Sequence, residues 1–159
     1  MRINQKIMSV LLLAAVSTMA HAGDFIEVTK SITVNKSVDE VWKSVGDFCA
    51  IKDWHPAVEK CEAYDDHGSF YRKLTLTDGA TILEKKKGGE EANSYTYFIK
   101  KGLPVKPYKA TFKAEGDGAS TTITWIANFK ARGASDEEAK ELIEGIFDAG
   151  MTSLTEKFK

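Results

Sequence analysis

The stretch DFCAIKDWHPAVEKCEAY, residues 47–64, holds both cysteines of the chain, one histidine and one tryptophan. Three chemistries suit such a set. A thiolate beside an imidazole is a nucleophile and its base. Two thiols and an imidazole are three ligands for zinc. Two thiols in an oxidising compartment form a disulfide. Spacing weighs against a metal: Cys49, His55 and Cys61 lack the tight CxxC or HxxxH pattern, and no fourth ligand is nearby. His55 is the candidate general acid or base, because an unperturbed imidazole titrates near neutrality. It has no evident nucleophile or orienting carboxylate, although Asp53 is close in sequence. His67, in DDHGS, reads as a solvated turn residue. The sequence carries no phosphate loop and no triad signature. The expectation is therefore no metal, no cofactor, and binding rather than catalysis.

The compartment decides what the thiols do. The chain opens MRINQKIMSVLLLAAVSTMAHAGDF. Arg2 and Lys6 form a positive start, an apolar run follows, and Ala20-His21-Ala22 is a small-x-small cleavage site. This is the pattern of a secretory signal peptide over 1–22, with cleavage after Ala22 and a periplasmic product. A single domain over 23–159 remains. Loss of Arg2 and Lys6 leaves it more acidic than the formal −1 of the whole sequence, which gives no reason to expect nucleic acid as a partner. Outside the cytoplasm Cys49 and Cys61 are expected to pair, a free buried pair being the alternative. Such a short staple contributes about 3 kcal/mol.

A second set lies further on. The TDG turn, ending at Gly79, fits a three-residue hairpin loop with a left-handed last residue. That register sets Leu76 opposite Ala80, Leu74 opposite Ile82 and Arg72 opposite Glu84. The charged pair then shares a face with Phe70, Leu74, Leu76 and Ile82. Two readings stay open. The face is outside and the pair is an ordinary cross-strand contact, or the face is inside and the pair is a polar anchor for a ligand. The apolar neighbours favour the inside. Tyr97, Tyr108 and Trp125 lie on strand faces with other apolar residues, and each carries a polar tip that needs a partner when buried. Trp54 and His55, just before Pro56, suit the mouth of a cavity. The ligand-binding candidates are thus Trp54, His55, Arg72, Glu84, Tyr97, Tyr108 and Trp125. Lys85, Lys86 and Lys87 read as a solvated strand end.

These residues need elements to hold them. Alternating apolar residues predict a strand over 25–35. Ser37 and Glu40 form a capping box ahead of a helix in VDEVWKSVGDF, and a short second turn must end near His55 because Pro56 follows. Strands are predicted over 58–64, 70–76, 80–87, 94–100, 108–115 and 121–131, joined by short turn-rich segments. Short connections imply an antiparallel meander. Ser135 and Glu138 cap a last long helix whose stripe is Ala139, Leu142, Ile143, Ile146, Phe147, Met151, Leu154 and Phe158. Gly145 and Gly150 interrupt it, which makes sense where the helix passes close to something. The fold class is α+β: a curved seven-stranded antiparallel sheet gripping a long C-terminal helix, with two short helices after the first strand. Such a grip leaves a cavity.

In that order VDEVWKSVGDFCAIKDWHP, YRKLTLTDGATILEK, SYTYFIKKGLPVKPYKATF, TTITWIANF and EEAKELIEGIFDAGMTSLTEKF resemble the START-like, Bet v 1-like (SRPBCC) superfamily, within it the polyketide cyclase/dehydrase family 2 group. Arg72 and Glu84 match the family's R…E motif. The resemblance implies a hydrophobic or aromatic small molecule as ligand. For an exported member it also implies a periplasmic redox partner such as methanol dehydrogenase or its cytochrome. Other roles it implies are a carrier of lipid or aromatic compounds, and a cyclase or aromatase acting in the cavity.

Overall fold

The computed structural model describes residues 23–88 and 91–159. The proposed signal peptide over 1–22 lies outside the described residues. The chain runs β1 (Ile26–Val34), α1 (Val38–Val45), α2 (Ile51–Trp54), β2 (Val58–Asp66), β3 (Ser69–Leu76), β4 (Thr81–Lys86), β5 (Ser94–Lys101), β6 (Val105–Gly116), β7 (Thr121–Ala131) and α3 (Asp136–Lys157). The strands form one antiparallel sheet in the order β1-β7-β6-β5-β4-β3-β2. Consecutive strands are neighbours from β2 to β7, and β1 closes onto β7. The helix-grip arrangement expected from the sequence is the one found.

Alternation explains which face of the sheet is inside. In β7, Ile123, Trp125, Ala127 and Phe129 are buried, while the residues between them are half-buried. In β6 the buried set is Val105, Tyr108, Ala110, Phe112 and Ala114. Helix α3 lies across this inner face against β1 and β7. Its start is fixed by a reciprocal capping box between Ser135 and Glu138. Helix α1 packs on β6, and α2 wedges between β2 and α3. No helix among the described residues is long and apolar enough to cross a membrane.

Four local details depart from the sequence reading. At α1 the Ser37 hydroxyl accepts from the Glu40 N–H and donates to the Glu40 carboxylate, so the box is only half made. That helix stops at Val45. The Trp42 indole lies where a side chain on Gly46 would project, 2.5 Å from an ideal Cβ, and Phe48 enters the core from the following turn. Strand β6 begins at Val105, ahead of the expected start, with a register irregularity between Val105 and Tyr108 around Pro107, which has no N–H for the ladder. Leu142 is 40% exposed, so the buried stripe of α3 is narrower than the apolar pattern.

Candidate functional site

The β3–β4 turn holds the register on which the charged pair depends. The Leu76 N–H donates to Ala80 O at 2.8 Å, the Gly79 N–H to Leu76 O at 2.9 Å, and the Ala80 N–H to the Asp78 carboxylate at 2.9 Å. Gly79 sits at φ 86, a left-handed conformation that glycine takes without strain. Arg72 therefore faces Glu84, and Leu74 faces Ile82. The pair is inside: Arg72 is 0% and Glu84 4% exposed.

Arg72 Nε donates to Glu84 Oε2 and Nη1 donates to the Phe48 carbonyl. The guanidinium lies 3.9 Å over the Phe48 ring and 5.2 Å from the Tyr97 ring. Nη2 is buried without a partner. Burial opposes the guanidinium's charge, but Glu84, Tyr95 and Tyr97 outweigh it, so Arg72 stays cationic. Burial pushes the Glu84 carboxyl above the usual carboxylate range, against the pull of Arg72. Phe48 is thus both acceptor and lid for the cation. Its chain neighbour Cys49 is bonded to Cys61 of β2, with Cα atoms 5.5 Å apart. The staple pins the α1–α2 turn, and with it Phe48, to the strand beside Arg72. The opening stretch is therefore a stapled lip, with both thiols spent in the bond. Among the described residues no cluster of His, Cys, Asp and Glu is placed to hold a metal.

His55 ends α2, where its backbone N–H still donates to Ile51 O at 2.8 Å. Its Nδ1 accepts from the Ala57 N–H at 3.2 Å, so Nε2 carries the proton and donates to Ile146 O of α3 at 2.9 Å. Burial lowers its pKa, with the Ile146 carbonyl pulling the other way and Arg72 adding to the lowering. The ring is neutral near neutral pH, and both nitrogens are engaged. It reaches α3 because Gly150 makes way: an ideal Cβ there would lie 2.9 Å from His55 Cδ2 and 3.0 Å from ring carbons of Trp54 and Trp125.

Between α3 and the sheet is a cavity of about 50 Å³. His55, Glu84, Tyr97, Tyr108 and Trp125 line it, all named from sequence. Apolar residues complete it, among them Ile51, Leu74, Ile82, Ile99, Ile143 and Phe147. Trp54 and Arg72 do not line it. Trp54 lies behind, stacked on Phe112 at 5.3 Å and edge-on to Trp125 at 5.7 Å, with its indole N–H buried and unpartnered. Arg72 lies behind Glu84. The α3 wall was missed as a lining, although the stripe containing Ile143 and Phe147 was its signal. Trp125 Nε1–H donates to the Tyr97 hydroxyl at 3.1 Å, and the Tyr97 and Tyr108 rings lie 6.0 Å apart. Burial raises both phenols, so both remain protonated donors.

The cavity is smaller than the expected pocket. It has room for a few waters at roughly 10–15 Å³ each, and is well short of the ~150 Å³ that accepts benzene. Aromatic packing has taken the space: Trp125 and Phe147 stack at 4.1 Å.

A family model described as polyketide cyclase / dehydrase and lipid transport matches residues 26–159. Among solved structures, an uncharacterised protein from Bacillus thuringiensis is 30% identical, with a TM-score of 0.76 over 84% of this chain and 98% of that one. The protein XoxI from Bacillus cereus is 30% identical, with a TM-score of 0.75 over 83% of this chain and 94% of that one. The Zhui aromatase/cyclase from Streptomyces sp. R1128 shares the fold, at 19% identity and a TM-score of 0.66 over 83% of this chain and 90% of that one. No curated protein matches. The chain belongs to the polyketide cyclase / dehydrase and lipid transport family.

Proposed function

We propose that this chain is an exported accessory protein of the MxaD kind, without a reaction of its own. MxaD is associated with methanol oxidation in methylotrophic bacteria and is thought to assist electron transfer from methanol dehydrogenase to its cytochrome. The observation that carries the reading is the state of the interior groups. His55 is engaged on both nitrogens, Arg72 and Glu84 are engaged with each other, and the cavity that His55 and Glu84 line is about 50 Å³. A cyclase or aromatase needs a free acid or base facing a cavity of several hundred Å³. The leader over 1–22 supports a periplasmic site of action. Fold likeness alone does not assign the role. The test is stopped-flow reduction of the cytochrome by methanol dehydrogenase, with and without the mature protein. Faster reduction is expected; an unchanged rate at every ratio of the proteins defeats the reading.

A second reading, a carrier of a small hydrophobic molecule, is favoured by one feature. The cavity is mostly apolar, with Glu84, Tyr97 and Tyr108 in its wall and His55 already engaged elsewhere, which suits a hydrophobic ligand with a polar group. An aromatic ligand would require the rings of Trp125 and Phe147 to part. Native mass spectrometry of protein purified from its own periplasm, without reduction, decides it: a retained small mass supports the carrier, and an empty chain removes it.

A further inference from the structure

The outer face of the sheet carries the charge that the site does not use. On that face Lys85 pairs with Phe98, Phe98 with Lys109, and Lys109 with Asn128, one row across four strands. Two rows along, past Thr96, Thr111 and Ile126, Ser94 pairs with Lys113, and Lys113 with Thr124. Lys87 joins Lys109 and Lys113 around a cleft of about 400 Å³ beside Gly88 and Glu91. Among the described residues, the carboxylates facing this area are few. Glu115 is 2.7 Å from Lys113, Glu91 shares the cleft, and exposed Glu27 pairs with Asn128 at the β1 end of the first row. Lys85 lies over the Tyr71 ring at 5.6 Å. The opposite side of the molecule is acidic: α3 exposes Asp136, Glu137, Glu138, Glu141 and Asp148, with Lys140 among them. The chain is nearly neutral as a whole, yet its charges are sorted to two sides.

We infer that the outer face of β4–β7 is a docking surface for an acidic protein surface. Strand spacing sets the Lys85 and Lys109 backbones roughly 10 Å apart, and four residues of strand set Lys109 and Lys113 roughly 13 Å apart. Lys85 lies outside the cleft that Lys87, Lys109 and Lys113 share, so one carboxylate or phosphate in the cleft does not engage all four, whereas acidic side chains spread over a partner's surface can. The middle of the face is Thr96, Thr111 and Asn128 with the half-buried Phe98 and Ile126, and among the described residues there no large apolar side chain is fully exposed to enter a bilayer. With α3 turned away, an acidic partner is drawn to one side and repelled from the other, so the charge sorting sets orientation as well as attraction. Lys85 and Lys87 are then working parts of a surface, not a solvated strand end.

The inference rests on the accessory reading for its first probes, methanol dehydrogenase and its cytochrome. Binding of the mature protein to each is measured by titration calorimetry, alongside the triple variant Lys85→Glu, Lys109→Glu, Lys113→Glu. A Lys→Gln triple replaces it if the first does not give the unaltered circular dichroism spectrum. The unaltered protein is expected to bind one of them, to weaken about tenfold between roughly 50 and 300 mM salt, and to lose at least about tenfold on charge reversal. Equal binding by the triple variant overturns the inference and leaves the accessory reading standing. If neither protein binds, the accessory reading falls. The inference is then decided by carbodiimide cross-linking in periplasmic extract. Amide bonds from Lys85, Lys109 or Lys113 to one protein, which when purified binds with the same salt dependence, sustain it; absence of such bonds overturns it. Equal affinity for phosphatidylglycerol vesicles, or head-to-tail association through α3 of a second copy, also overturns it.

Discussion

Replacing Gly150 by alanine adds one methyl group where three rings already meet. Helix propensity favours the change by about 1 kcal/mol. The new Cβ would stand 2.9 Å from His55 Cδ2 and 3.0 Å from carbons of Trp54 and Trp125. None of these is the loose end of a flexible chain. His55 is tied to Ile146 and Ala57, Trp54 lies against Phe112, and Trp125 lies against Phe147. Overpacking of such a site costs about 1–3 kcal/mol, and three contacts put it at the upper end. The net expectation is a loss of about 2 kcal/mol. Gly145, in the same helix, has nothing within 4 Å of its ideal Cβ, so Gly145→Ala should instead gain up to ~1 kcal/mol. For a domain of this size 1 kcal/mol moves Tm by about 3–4 °C. The two variants should therefore differ by about 10 °C in thermal melts followed by circular dichroism. If both alanines raise Tm alike, α3 does not approach the α2 turn as described, and the account of how His55 reaches Ile146 fails with it.

Three further outcomes follow from the same site. Removing one partner of the buried pair, by Arg72→Met or Glu84→Leu, should cost about 3–5 kcal/mol in urea unfolding, with the double variant recovering most of it; additive losses would deny the coupling. His55 has a folded-state pKa below its ordinary 6.5, so the unfolded chain takes up the proton first. Its contribution to stability is present above pH 6.5 and is lost as pH falls through the folded value. Glu84, with a raised pKa, tilts stability the opposite way with pH. The difference between the unaltered protein and His55→Gln across pH 5–8 isolates the histidine, and a flat difference would refute its buried neutral state. Reduction of Cys49–Cys61, which are 12 residues apart, should lower stability by about 3 kcal/mol and leave the fold intact. Melts with and without reductant test this, and unchanged melting would mean the lip is held without its staple.

The order of strands and helices was legible because each element carries its own local signal: turn residues between strands, and a capping box before α3. The Arg72–Glu84 pairing was legible for a similar reason, since one turn fixes that register over a few residues. The inside placement of the pair followed from its apolar neighbours. What could not be read depends on distant contacts. Nothing near His55 announces a hydrogen bond to a carbonyl 91 residues away. Nor does any strand pattern tell how far the rings of Trp54, Phe112, Trp125 and Phe147 close on one another, which decides cavity volume. Gly150 is instructive in both respects: its oddity in an apolar stripe was visible, while the three rings it admits were not. The exposure of Leu142 shows the converse, an apolar residue at the right period on a helix that buries only a narrow stripe.

An open sheet has two borders. At one of them β1 is tied down by the Lys30 contact with Asp148 of α3. At the other, β2, one side of the backbone has no neighbouring strand among the described residues. Such a row of free N–H and C=O groups is a template on which a strand of another molecule can grow. From Glu59 to Asp66 this border is exposed except at the half-buried Cys61, and its exposed residues include Glu59, Lys60, Glu62, Asp65 and Asp66. An added strand would have to desolvate this charge to form each hydrogen bond. The border thus guards the protein against self-templated aggregation by the same strand that anchors the staple, so replacing these charges with Thr or Val would trade colloidal stability away while leaving the interior unchanged.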